Sequence, residues 1–299
     1  MKAKNKLLTV LLVLILLLIL SGLNAFKPKR AAGSGALSSG TDERAYKVKS
    51  LGGIKTKMPE NSAMVFFGST LGTTLSNYKA YSNTDEVLCA LRSGEVDAIW
   101  ACDVTADFLE AVNSDLVVFE PASEADIQKT EDARFEFAMA LKDTERSVKL
   151  RDDINGVLKE IKEDGYLDVL INSLIENAPE QEKLPEGLRF DELSMHQDGR
   201  KETIYVGISG AVGPIELLNG DGKPYGFCVA LMEEIGKRLN RRIEFVVLDN
   251  ETSFTSLMSG KVDLLFCYGT GRKTTENKTP YITTDGYYKM QKYKFLKIK

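Results

Sequence analysis

Apolar and polar positions follow strand and helix spacings in alternation along most of the chain, which is typical of an α/β protein. Short apolar runs bounded by turn residues predict buried strands at 64–67, 98–101, 116–119, 135–141, 203–208, 242–248 and 262–268. Apolar positions at helical spacing predict helices at 104–112, 145–163, 167–175 and 229–239. The sequence Asn219-Gly220-Asp221-Gly222 predicts a tight turn, and a Lys- and Tyr-rich strand is expected at 287–298.

One motif occurs twice, as LRSGEVDAIW at 91–100 and as LMSGKVDLLF at 257–266. The shared form is L-x-S-G-x-V-D followed by a short apolar run. A helical pattern precedes each copy, so we expect Gly94 and Gly260 to end helices and the apolar runs to be buried parallel strands. Two such helix-to-strand units predict two similar lobes, each with its own sheet. Chance resemblance between two α/β loops is the alternative.

The first 25 residues have the composition of an export signal, with three lysines, an aliphatic run at 10–20 and small residues after it. As a helix, the apolar stretch 7–23 would span roughly 25 Å, slightly short of a bilayer core near 30 Å. Residues 1–25 are therefore either a signal peptide cleaved near Ala25 or an uncleaved membrane anchor. Residues 26–45, rich in Gly, Ser and charge, are expected to be a flexible tether. We expect the protein outside the cytoplasm: secreted, periplasmic or anchored at the outer membrane face.

Composition excludes several classes of function. The 299 residues are 43% hydrophobic and 27% charged with a net charge of -4, so no basic surface indicates a nucleic-acid partner. There is a single histidine, His196, and the four cysteines lack C-x-x-C spacing, which argues against a zinc site. We expect no metal and no cofactor. The cysteines are expected to be buried small hydrophobes, although a Cys228–Cys267 disulfide is conceivable outside the cell.

Several stretches resemble a known family. Residues 205–246 (YVGISGAVGPIELLNGDGKPYGFCVALMEEIGKRLNRRIEFV), followed by FTSLMSGKVDLLF, look like the first lobe of a type 2 periplasmic solute-binding protein. Residues 64–75 and 82–103 resemble the second lobe, and 137–171 the closing strand and helices. The similarity is closest to family 3, which serves polar amino acid uptake. It implies a two-lobed α/β fold without catalysis, a small polar ligand, and a membrane permease or signalling protein as partner.

The order of these pieces differs from that of the family, whose members run first lobe, second lobe, closing helices. This chain has the second lobe at 58–134, the closing strand and helices at 135–177, a linker at 178–200 and the first lobe with a hinge strand at 201–299. We interpret this order as a circular permutation, with a further hinge strand from 46–58. The alternative is the tail of one domain followed by the head of another.

Candidate ligand residues lie in loops that follow strands, because ligands of open α/β sheets bind beyond the carboxyl ends of the strands. Gly68, Ser69 and Thr70 follow a predicted strand and open a helix, where backbone N–H groups and hydroxyls can hold a carboxylate. Asp103 follows the strand at 98–101, and by resemblance it pairs with a ligand ammonium. The alternative for each is a helix cap.

The other lobe offers three further candidates. Thr270 and Arg272 follow the strand at 262–268, and an arginine there can form a bidentate contact with a carboxylate. The alternative is a solvated arginine. Ser209 follows the first strand of this lobe and is expected to line the cleft.

The chain departs from the family pattern at three positions. The family usually carries T-x-E-R, with the arginine on the ligand carboxylate, whereas this chain has Asn277 there, or Thr275 without a gap. Where the family has an aromatic residue that stacks on the ligand, this chain has Val212. Where the family has a carboxylate in the helix after Gly-Phe, this chain has Ala230. Our prediction remains extracytoplasmic binding of an amino acid-like solute for ABC transport or sensing. The alternatives are a degenerate membrane-tethered module without ligand, and a dehydratase-like enzyme, which would need an acid/base pair such as Asp103 and Glu276.

Overall fold

The computed structural model describes residues 50–54, 78–119, 136–178, 202–269 and 279–299. In chain order the elements are β1 (Leu51–Ile54), β2 (Tyr78–Tyr81), α1 (Thr84–Arg92), β3 (Ala98–Cys102), α2 (Asp103–Val112), β4 (Leu116–Phe119), β5 (Glu136–Lys142), α3 (Glu145–Glu163), α4 (Tyr166–Ile171), a π-helical turn (Asn172–Glu176), β6 (Glu202–Ile208), β7 (Leu217–Leu218), β8 (Pro224–Tyr225), α5 (Phe227–Leu239), β9 (Arg241–Val247), α6 (Asn250–Ser259), β10 (Leu264–Gly269), β11 (Tyr281–Thr283), β12 (Tyr288–Lys289) and β13 (Tyr293–Ile298).

Most of the described strands form two large sheets with the same arrangement of strands, and β7 and β8 form a separate two-stranded sheet. The β3 sheet has the order β2-β1-β3-β13-β4, in which β1 is parallel to β2 and β3, and β13 is antiparallel between β3 and β4. The β6 sheet has the order β9-β6-β10-β5-β11, in which β6 is parallel to β9 and β10, and β5 is antiparallel between β10 and β11. The predicted α/β class with two lobes is confirmed.

Each sheet takes its antiparallel strand from the other half of the chain. Strand β5 comes before β6 in the chain, directly after the strands of the β3 sheet, yet it lies in the β6 sheet. Strand β13 comes last in the chain, after the strands of the β6 sheet, yet it lies in the β3 sheet. The two lobes are therefore joined by a reciprocal exchange of strands.

The repeated motif makes the same contacts in both sheets. Gly94 and Gly260 adopt positive φ angles of 76° and 79° just after α1 and α6, as the sequence predicts. The motif aspartate then links neighbouring parallel strands in each sheet. Asp97, just before β3, accepts a hydrogen bond at Oδ2 from Ser50 N, just before β1 (3.0 Å). Asp263, just before β10, accepts one at Oδ2 from Tyr205 N in β6 (2.9 Å). The recurrence of the aspartate is explained by this link.

Side-chain caps start several helices. Ser147 N donates to Thr144 Oγ1 at the start of α3 (3.2 Å), and Thr252 N donates to Asp249 Oδ1 at the start of α6 (2.7 Å). Predicted and observed bounds of α3 agree, at 145 and 163. The predicted turn at 219–222 joins β7 to β8, which pair through Leu217 and Tyr225.

The largest core lies between the β6 sheet and helices α3, α4 and α5, with Met139, Ile154, Phe227 and Phe266 among its fully buried members. The other face of this sheet packs on α6 through Leu257 and Leu265. Helices α1 and α2 cover one face of the β3 sheet, where the packed residues are Val87, Leu88, Ala90, Leu91, Val96, Ile99, Ala106, Leu109, Leu116 and Leu296.

Two predicted elements differ from the structure. The strand expected at 287–298 is divided, because β12 pairs with β5 of the β6 sheet whereas β13 lies in the β3 sheet. The helix expected at 167–175 is α4 followed by the π-helical turn. The strand predicted at 64–67 lies outside the described residues, as does the N-terminal apolar segment. Within the described ranges, no helix is both long and apolar enough to cross a membrane.

Candidate functional site

The carboxyl edges of the two sheets meet where the chain crosses from one to the other. Strand β12 ends beside the start of β5, and β13 begins beside Cys102 at the end of β3. Only residues 290–292 join β12 to β13. Because extended chain spans at most about 3.6 Å per residue, the two edges lie within roughly 15 Å of each other at this crossing. The edges at which open α/β sheets bind ligands therefore face one another.

Asp103, predicted to bind a ligand ammonium, lies at this crossing. Its side chain is buried, Oδ1 accepts a hydrogen bond from Val104 N (2.9 Å), and Oδ2 accepts one from Gln291 N (2.8 Å). The backbone N–H of Asp103 also donates to the Lys292 carbonyl (2.9 Å). The carboxylate therefore fixes the crossing segment to the start of α2.

The loop 209–216 after β6 is built around a carboxylate. Glu216 is fully buried, and its Oε2 accepts hydrogen bonds from Ser209 N (3.0 Å) and Ser209 Oγ (2.9 Å). The Glu216 N–H donates back to the Val212 carbonyl (2.8 Å). The predicted site residue Ser209 thus has its hydroxyl bonded within the loop, and Glu216, which sequence reasoning missed, holds the loop in shape.

This loop contacts the β3-sheet lobe directly. Thr84 Oγ1, in the first turn of α1, donates a hydrogen bond to the Ala211 carbonyl (3.3 Å). The ring of Phe108 in α2 lies so close to Gly213 that a Cβ added there would be 2.9 Å from ring atom Cε1. The two facing edges are therefore in contact through one loop of the β6-sheet lobe and two helices of the other.

The end of β10 has an unusual backbone. Cys267 has a positive φ of 54°, and the pairing of β10 with β5 shifts register between Leu265 and Tyr268. The Cys267 N–H donates to the buried hydroxyl of Tyr287 (3.0 Å). The bulge turns Cys267 to the face of Phe266 and places Tyr268 on the opposite face with Leu265.

Two tyrosines near this bulge have different surroundings. The ring of Tyr287 stacks on Phe266 with centroids 4.9 Å apart, and burial, with the nearby Cys267 and Glu216, raises its pKa well above 10. Tyr268 is also buried, but its hydroxyl has no hydrogen bond to any described residue within 3.5 Å. The Tyr281 ring lies edge-on at 5.1 Å, and burial chiefly raises the pKa of Tyr268.

The structure describes two of the seven predicted site residues. Asp103 and Ser209 both lie at the facing edges, and each bonds to groups of the chain itself. The other five lie outside the described residues: Gly68, Ser69, Thr70, Thr270 and Arg272. Two surface depressions in the described part lie along α3, one lined in part by Asn155 and the other by Arg146. Neither includes a residue of loop 209–216.

The cysteines are free in the structure, so the conceivable Cys228–Cys267 disulfide is not formed. Cys102, Cys228 and Cys267 are buried as expected, whereas Cys89 is exposed on the solvent face of α1. Burial raises the pKa of Cys102 to about 11, so this thiol stays protonated at neutral pH. No cluster of His, Cys, Asp or Glu suited to a metal ion occurs among the described residues.

Comparison with known families gives a match in the second half of the chain. Residues 204–295 match the family of bacterial extracellular solute-binding proteins, family 3. The recognition made from the sequence is confirmed there. The matched range begins within β6 and ends halfway along β13, so it includes the loop 209–216 and the first half of one strand of the β3 sheet.

Solved structures give more distant similarity. The L-cystine solute receptor of Neisseria gonorrhoeae is 22% identical over 25% of this chain and 30% of its own, with a TM-score of 0.21. A ligand-binding component of an ABC-type import system from Staphylococcus aureus is 10% identical over 83% of this chain and 65% of its own, with a TM-score of 0.39.

A putative L-cystine ABC transporter protein from Listeria monocytogenes is 11% identical over 83% of this chain and 82% of its own, with a TM-score of 0.37. This chain thus spans less than two thirds of the length of the Neisseria and Staphylococcus proteins. Comparison with curated protein sequences found no match. None of these identities transfers a ligand to this chain.

Proposed function

We propose that the protein binds a small polar, amino acid-like solute between the facing edges of its two sheets, outside the cytoplasm. It would pass the solute to an ABC permease or report it to a signalling protein, without catalysis. The observation that carries the proposal is the match of residues 204–295 to solute-binding family 3. The twice-repeated strand arrangement supports it, because two similar lobes with facing carboxyl edges form a cleft.

The proposed order of lobes is a circular permutation of the family's order. The reciprocal exchange of β5 and β13 supports this, since both exchanged strands belong to one two-lobed unit. The N-terminal segment, as signal peptide or anchor, supports the location outside the cytoplasm.

The proposed solute contacts divide between the lobes. Gly68, Ser69 and Thr70 would hold a carboxylate at a helix start, and Asp103 would add an ammonium contact through the lone pairs that its backbone partners leave. From the β6-sheet lobe, Ser209 would line the cleft, and Thr270 with Arg272 would bind a second acidic group or the same carboxylate.

A second function is favoured by one observation. This chain has Asn277 and Val212 where the family has its ligand-binding arginine and its stacking aromatic, as expected of a module that has lost its ligand. In that case the protein is a membrane-tethered interaction module.

Thermal unfolding of the full chain in mild detergent separates the two. The probes are the twenty standard amino acids and L-cystine, each added singly. A ligand at 100 times its dissociation constant adds about 2.7 kcal/mol to the free energy of unfolding. That corresponds to a rise in Tm of roughly 5 to 11 °C for a chain of this size.

A matched pair of variants localises the site. Arg272→Ala is expected to abolish the rise in Tm, whereas Arg242→Ala, an exposed arginine on the edge strand β9, is expected to retain it. Cooperative unfolding that no probe shifts would favour the module without ligand. A shift that survives Arg272→Ala would refute the proposed role of that arginine.

A further inference from the structure

The loop 209–216 has a shape that does not depend on a ligand. Its centre is the fully buried carboxylate of Glu216, which accepts two hydrogen bonds from Ser209. The Glu216 N–H donates to the Val212 carbonyl, and Ala211 N donates to Ser209 Oγ (3.3 Å). A carboxylate this deeply buried and bonded to the loop's own backbone makes alternative loop conformations costly.

The same loop presents its backbone to the other lobe. Its Ala211 carbonyl accepts the hydrogen bond from Thr84 Oγ1, and two residues later Gly213 lies against the Phe108 ring. A Cβ at position 213 would lie 2.9 Å from Cε1 and 3.0 Å from Cδ1 of that ring, and 3.2 Å from Leu217 Cδ2, so a side chain there would displace the ring or the loop. The contact in its observed form therefore needs glycine.

We infer that loop 209–216 is a built-in latch, which docks on Thr84 and Phe108 and holds the two lobes closed on each other without any bound solute. Three observations converge on it: the hydrogen bond at Ala211, the glycine-specific contact at Gly213, and the ligand-independent shape of the loop. A solute entering the cleft must displace this latch. The inference concerns the solute-free chain, so it holds whichever of the two proposed functions is correct.

The test measures the separation of the lobes in the full chain without added solute. Spin labels are placed on the native exposed Cys89 in α1 and on Glu244→Cys in the exposed edge strand β9. The other three cysteines are buried. Double electron–electron resonance then reports the distance between the two lobes.

Gly213→Val is the principal variant. Its side chain overlaps the Phe108 ring, so we expect a longer label-to-label distance than in the parent. The double variant Phe108→Ala/Gly213→Val removes the ring and is expected to return the distance to the parent value. Gly220→Val is the matched control, because nothing lies within 4 Å of a Cβ at Gly220, and its distance should not change.

Circular dichroism checks that each variant is folded. If Gly213→Val does not fold, Gly213→Ala takes its place, and a smaller lengthening of the same sign is expected. An unchanged distance in the folded variant would overturn the latch. So would a double variant that stays as extended as Gly213→Val, since the lengthening would then not arise from the ring.

Discussion

The bulge at Cys267 depends on the hydroxyl of Tyr287, and this dependence can be measured. In the parent chain the Cys267 N–H donates to the Tyr287 hydroxyl across 3.0 Å. Tyr287→Phe removes this acceptor and keeps the ring stacked on Phe266. Withdrawing the acceptor of a buried donor costs about 1 to 3 kcal/mol of folding free energy. Each kcal/mol lowers Tm by roughly 2 to 4 °C in domains of 150 to 250 residues. We therefore expect a clear fall in the midpoint of thermal or urea unfolding.

Tyr268→Phe is the matched control. It also removes one phenolic hydroxyl, and Tyr268, in strand β10, is as deeply buried as Tyr287. That hydroxyl has no hydrogen bond to a described residue within 3.5 Å, so its removal relieves a desolvation cost. We expect no loss of stability, or a gain of up to about 1 kcal/mol. Equal stability of Tyr287→Phe and the parent, or a larger loss in Tyr268→Phe, would refute the role assigned to the bulge.

Three other predictions follow from further contacts of the described residues. Asp263→Ala removes the acceptor of Tyr205 N and is expected to lower unfolding free energy by about 1 kcal/mol in urea titrations, whereas Asp263→Asn, which keeps an oxygen acceptor, should lose less. Arg238 donates a hydrogen bond to Asp164 Oδ2 (2.7 Å) and holds the pKa of Asp164 below 3.8. The contribution of this pair to folding stability is therefore present above pH 3.8 and is lost as the pH falls further. Arg238→Lys should make Tm less dependent on pH between 2 and 4, and an unchanged dependence would contradict the pairing. Burial raises the pKa of Tyr287 and Tyr293 above 10, so folding stability should fall above pH 10, and absorbance at 295 nm should show these phenols ionising together with unfolding rather than before it.

Elements with a local signal could be predicted from the sequence. The L-x-S-G-x-V-D repeat predicted the glycine helix ends at Gly94 and Gly260, because only glycine adopts positive φ without strain. Regular helical spacing predicted α3 over its full length. The repeat also predicted two similar lobes, and the two sheets share one strand arrangement.

Features that depend on distant contacts could not be predicted in this way. Lys and Tyr recur throughout 287–298, so the composition gives no sign that β12 and β13 belong to different sheets. The positive φ of Cys267 has no sequence signal, since the residue is neither Gly nor Asn. Glu216 appears in sequence as one charge among apolar residues, and only the fold shows that Ser209 satisfies it. The contacts of a solute with Gly68, Ser69, Thr70, Thr270 and Arg272 remain predictions.

The exchange of β5 and β13 between the sheets also determines when folding can finish during synthesis. Among the described strands, β4 pairs only with β13, which follows every other described element in the chain. Strand β5 likewise waits for β10 and β11. Pairings as distant in the chain as Phe295 with Trp100 give a high contact order, which slows folding. The nascent first half therefore exposes unpaired strand edges for as long as the second half is being translated.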